Sequence, residues 1–168
     1  MTETRFPGAL DRQAFRLGRL VRVEEQLVEV LGVQLARADD GAVVVALADR
    51  IRRHRQAASI VRDRLPVLRE FPVDGLVDGA SVPEWTAALA ALLAADADDA
   101  VPIEGALTAA LADAYRGVVA DASPAGAPSV RRHLAGLAGS LDADGPAAPL
   151  PAGFPTVEEL TLELLGGG

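Results

Sequence analysis

The chain has 168 residues, half of them hydrophobic but only 4% aromatic, and a formal net charge of −8. That length suffices for one domain, and the composition implies a core of Leu, Val and Ala rather than of rings. With no cysteine, disulfides, thiolate metal sites and cysteine nucleophiles are excluded. The acidic balance argues against nucleic acid as a partner, since phosphate contacts dominate that affinity.

The charge is unevenly placed. Residues 1–70 carry thirteen Arg against ten acids, whereas residues 71–168 carry three Arg against fourteen. A basic half packed beside an acidic half is the plainest use of that asymmetry. All sixteen basic residues other than histidine are Arg, a coding bias expected of a GC-rich bacterial genome. Met1-Thr2-Glu3-Thr4 lacks a basic region followed by an apolar run, and the longest apolar stretch, Trp85 to Ala95, is too short to span a bilayer. No membrane association is expected, and the expected location is cytoplasmic.

Strand signals are nearly absent, so the class is all-α. A first helix is predicted over 11–36, where Leu17, Leu20, Leu27, Leu31 and Leu35 recur at three- and four-residue spacing. Glu24 interrupts that stripe. A second helix over 40–65 carries Val44, Leu47, Ile51, His54, Ala58, Val61 and Leu65, and Pro66 ends it because its ring cannot continue the hydrogen-bond ladder. Residues 38–41 form the turn between them. Glu24 lies fifteen positions before Asp39 and His54 fifteen after it. Two antiparallel helices rising about 1.5 Å per residue therefore put both side chains at one level, roughly 22 Å from the turn.

A carboxylate on an apolar stripe is costly unless paired, neutralised or metal-bound. Glu24 and His54 are accordingly the candidate pair of this chain. One reading makes them catalytic or metal-binding, the remnant of a metal site or a proton-handling pair. Another makes them a buried hydrogen-bonded pair that fixes helix register. In a third, the stripe is rotated and Glu24 lies in solvent beside Glu25.

Along α-helical spacing, Arg52, Arg55, Arg62 and Arg69 share one face, which reads either as a solvated face or as a docking site for an anion. Residues 69–79 read as a crossover loop with two Gly-containing turns. Ser81 and Glu84 are placed for a capping box opening a short helix. That helix carries Trp85, which either plugs a bundle end or lines a ligand cavity. Asp96, Asp98 and Asp99 lack the glycine and terminal glutamate of a calcium loop and read as a cap and turn. A third long helix is predicted over 102–122, with Leu107, Leu111, Ala114 and Val118 inward and Tyr115 nearby; of its candidate inward carboxylates, Glu104 reads as a first-turn helix acid and Asp113 sits off the stripe. A fourth is predicted over 129–141.

The organisation expected is a helical bundle over 1–144, a Pro/Ala/Gly linker over 145–155, and a C-terminal amphipathic segment over 156–168 opened by a second capping box. Val157, Leu160, Leu164 and Leu165 form its apolar face. That face either docks on a protein partner or folds back onto the chain's own bundle.

Two long helices, a long crossover with a short extra helix, and two more helices resemble the ferritin-like four-helix bundle. So do the run from Gly18-Arg19-Leu20 to Glu24 and the His-bearing helix ending Arg62-Asp63-Arg64-Leu65-Pro66. That family's dinuclear centre uses one Glu from each of two helices and a Glu-x-x-His from each of the others. Here Glu24 matches the first Glu and His54 the first histidine; His133 stands at the second histidine position but lies only about seven residues past its turn, so it is not level with the other two. The paired glutamates are replaced by Ile51 and Val130. Level positions on the later helices fall at Leu111 and near Ser140, which supply no carboxylate. The resemblance thus implies a bundle that has lost its metals. The expected function is non-catalytic, through contacts with a second copy or another protein as scaffold, accessory or cargo, and no cofactor is expected. The alternative is an enzyme or small-ligand binder using Glu24 and His54.

Overall fold

The structure is a computed structural model that describes residues 9–66, 72–122, 128–141, 150 and 152–166. Seven helices and no strand are present among the described residues: α1 (Ala9–Arg37), α2 (Gly41–Arg62), α3 (Val73–Asp78), α4 (Pro83–Ala94), α5 (Ala97–Asp121), α6 (Pro128–Leu141) and α7 (Val157–Leu165). No helix among those residues is long and apolar enough to cross a membrane.

α1 is the axis of the packing, touching α2, α3, α4, α5 and α7. Its buried set is accordingly broader than one stripe: besides Leu17, Leu20, Leu27 and Leu31 it includes Ala14, Val21 and Val23, while Leu35 is half-buried. α1 and α2 form one hairpin and α5 and α6 another, with α1 against α5 and α2 against α6. α5 runs antiparallel to α1, because Glu104 near its start meets Arg50, Tyr115 meets Glu24, and Asp121 at its end meets Arg16. α4 runs parallel to α1. Its last carbonyls, Leu92 and Leu93, accept hydrogen bonds from Gln34 and Arg37 of α1, which meets part of the need that every helix C-terminus has for donors.

Three local structures differ from the sequence reading. The crossover is not all loop: α3 lies in it, with Leu76 and Val77 buried against α1. Gly18 permits this approach, since a Cβ there would stand 2.4 Å from the Leu76 carbonyl oxygen. The Ser81–Glu84 capping box does not form. Val82 is the cap residue of α4 and contributes no side-chain hydrogen bond. Glu163 of α7 takes the role instead, its two carboxylate oxygens each accepting a backbone N–H, from Glu84 and Trp85, at 3.0 Å. Finally, α5 begins at Ala97 rather than near residue 102. Pro102 therefore lies inside α5, in its second turn, and forgoes one ladder hydrogen bond there.

The C-terminal segment folds back in cis. Thr156 and Glu159 form the expected capping box, and Gly166 closes α7 with a left-handed backbone, φ 77°. Leu160 and Leu164 are fully buried, and Val157 and Leu165 pack against the same core. The apolar face proposed for partner docking is therefore occupied by the chain's own bundle. Trp85 is fully buried beneath this helix and donates its indole N–H to the Leu160 carbonyl at 2.9 Å. It plugs the packing rather than lining a cavity. The linker over 145–155 lies largely outside the described residues, as do Arg69 and the side chains of Asp98 and Asp99.

Charge pairing follows the predicted asymmetry. Arg16, Arg50 and Arg62 from the basic half hold Asp121, Glu104 and Asp74 from the acidic half.

Candidate functional site

Glu24 and His54 meet. Both are buried, Glu24 at 0% and His54 at 5% exposure, and His54 Nδ1 lies 2.5 Å from Glu24 Oε2. The stripe is not rotated: neighbouring Glu25 takes the outward course and pairs with Arg62 at 2.7 Å. A third member joins them. The hydroxyl of Tyr115, on α5 and fully buried, donates to Glu24 Oε1 at 2.5 Å. One carboxylate thus ties α1 to α2 through one oxygen and to α5 through the other.

The electrostatics follow from this geometry. Burial disfavours the charged imidazole, but the hydrogen bond and the charge of Glu24 outweigh it. Glu104 adds a smaller pull and Arg53 opposes it, so His54 is held above its ordinary value. Burial, then the charge and hydrogen bond of Glu24, raise the Tyr115 phenol well above its ordinary value, so it stays a neutral donor. A hydrogen bond to a charged group in such a dry setting contributes roughly 1.5–3 kcal/mol, more than a neutral pair.

Counting residues along the third helix leads to Leu111, one turn before Tyr115. Side chains of a helix lean toward its N-terminus, so a long residue covers the turn that precedes it. Applied to α5, that rule brings the Tyr115 hydroxyl back toward the level of Leu111. The signal was present in the sequence.

The other candidates go elsewhere. His133 donates from Nδ1 to the Ser129 carbonyl at 2.6 Å, and its ring lies 3.4–3.5 Å from Arg64 Nη2. Glu104 is engaged by Arg50, and Asp113 pairs at the surface with Arg116 at 2.6 Å. Ser140 turns back to the Leu137 carbonyl, and Leu111 is fully buried and apolar. Among the described residues no three His, Cys, Asp or Glu side chains gather in a way that could hold a metal ion. Two arginines of the predicted face are paired within the chain: Arg62 holds Glu25 and Asp74, and Arg52 holds Asp49.

A cleft of about 400 Å³ opens where the end of α1, the start of α2, the end of α4 and the start of α5 converge. Arg50, Glu104, Leu47 and Val101 line it, but none of Glu24, His54 and Tyr115 does. Comparison with protein-family models, curated proteins and solved structures returns no match to this chain.

Proposed function

We propose that the chain is a non-catalytic helical bundle of ferritin-like layout that works through protein contacts, as a scaffold, accessory or cargo-type protein. In this reading the Glu24–His54–Tyr115 cluster stands where related bundles keep metals. The observation that carries it is the state of the Glu24 carboxylate. Both oxygens are taken by donors of the same chain, in a setting closed to solvent. A metal ligand needs a free oxygen and two or three further ligands around the ion, and a di-iron centre needs bridging carboxylates as well. Ile51 and Val130 stand at the positions where the paired glutamates would be. The layout supports the same reading: two antiparallel hairpins are joined by a crossover long enough to carry α3 and α4 back along α1. Oligomerisation and a cytoplasmic location belong to this proposal.

The test is elemental analysis of the full chain after exposure to iron, manganese and zinc. The reading predicts less than about a tenth of a metal ion per chain. Near-stoichiometric metal that disappears in His54→Ala would overturn it and make the interior an active-site candidate.

A further inference from the structure

Clefts of similar size on this chain differ in what lines them. One of about 480 Å³ beside α7 is walled by Arg19, Glu84, Glu159 and Glu163, and one of about 460 Å³ between α1 and α2 by Glu25, Glu29, Arg55 and Arg62. Both are charged grooves of an ordinary solvated surface. The cleft of about 400 Å³ at the junction of α1, α2, α4 and α5 is different in kind. Val43, Ala46, Leu47 and Arg50 recur at three- and four-residue spacing, so a single face of α2 forms one wall. Ala100, Val101 and Glu104 of α5 form the other. The side chains of Ala46 and Ala100 are short, so the helix ends converge without filling the space between them. Leu47 is buried at its floor, whereas Val43 and Val101 stand 47% and 64% exposed at its rim.

The polar groups of the cleft are engaged within the chain. Arg50 and Glu104 pair with each other between the two walls, Gln34 and Arg37 donate to the Leu92 and Leu93 carbonyls, and Asp96 has its own partner. Two Arg and two acids line the cleft, so their formal charges cancel. A charged ligand entering here would lose hydration and meet no bare counter-charge, which is costly. An uncharged one leaves the existing pairs intact and gains by covering the apolar walls and rim. The volume fits such a molecule: small-molecule pockets span roughly 300–1,000 Å³, are mostly apolar with a few polar groups, and commonly lie between the helices of a bundle.

We propose that this cleft binds a small, uncharged, largely apolar molecule, held between Val43 and Ala46 of α2 and Val101 of α5. This goes beyond the contact-based reading and does not rest on it. The interior cluster takes no part, since neither Glu24, His54 nor Tyr115 lines the cleft.

The experiment titrates N-phenylnaphthylamine, an uncharged fluorophore, with the full chain and follows the rise in its emission. Wild type is expected to show a single saturable site with a dissociation constant below about 100 µM. Ala46→Glu and Val101→Glu put a carboxylate into the cleft from opposite walls, and each should weaken binding about tenfold or more. Val45→Glu is the control: Val45 is 68% exposed on the same helix but does not line the cleft, so this variant should bind within about twofold of wild type. The same ring system carrying a sulfonate, anilinonaphthalenesulfonate, should bind wild type about tenfold more weakly than the uncharged compound. All three substituted positions are exposed, so the variants should keep wild-type helicity, which circular dichroism checks. Absence of saturable binding, cleft variants that bind as wild type does, a Val45→Glu that loses binding equally, or a sulfonate that binds as tightly would each overturn the proposal.

Discussion

Three side chains carry the interior chemistry, and each has a separable effect. Tyr115→Phe removes one donor and leaves a buried carboxylate oxygen unpaired. The expected cost is about 1.5–3 kcal/mol, read as a lower urea midpoint with an unchanged slope. His54 sets a pH dependence of known sign. Its pKa is raised in the folded chain, so the folded state holds the proton more tightly than the unfolded one. Its contribution is then fully present below the ordinary histidine value near 6.5 and is lost as pH rises through the higher folded value. Urea midpoints measured at stepped pH should fall over that window in wild type more than in His54→Gln. A flat difference between the two proteins would contradict the pairing. At this scale the sequence was informative about Glu24 and His54, because a level count on two antiparallel helices needs only the rise per residue. Tyr115 is not legible from such a count, which compares Cα levels, because a tyrosine hydroxyl acts nearly a helical turn away from its own Cα.

At the scale of elements, hydrophobic period and caps made α1, α2, α5, α6 and α7 legible to within a few residues. What escaped was set by tertiary contact. α3 has only six residues and stands because α1 offers Gly18 as a recess for its backbone, which no local propensity reveals. Gly18→Ala should therefore destabilise the fold by about 1–3 kcal/mol, whereas an Ala at an open helical glycine such as Gly32 should be neutral or stabilising. The cap of α4 escaped for a similar reason. A local Ser81–Glu84 box was available, but Glu163 comes from 78 positions away in the chain and satisfies two N–H groups at once. Glu163→Ala should cost about 0.5–2 kcal/mol, a typical cap value, while Ser81→Ala should cost little. Thermal unfolding of the two variants side by side separates the long-range cap from the local one.

At the scale of the molecule, the two hairpins meet across an apolar core in which Glu24 is the only fully buried charged side chain among the described residues. It is bonded to both hairpins, so it fixes their register in a core of Leu, Val and Ala that could otherwise slide. The surface divides the labour differently. Arginines of the first half hold acids of the second, and the start of α2 is left apolar. The all-α class was legible in the near absence of strand signals, and the charge complementarity in the uneven placement of Arg and acids along the chain. The exposure of Val45 was not, because valines that face water and valines that face a core read alike until the helix is placed. In the proposed reading, Glu24 holds the hairpins together rather than a metal. Its most direct measurement is urea unfolding of wild type and Glu24→Ala, each with metal added and with chelator. Glu24→Ala is expected to lose on the order of 3 kcal/mol, the same with metal and with chelator, and wild-type stability to be indifferent to both. A wild-type protein that chelator weakens to the level of Glu24→Ala would contradict it.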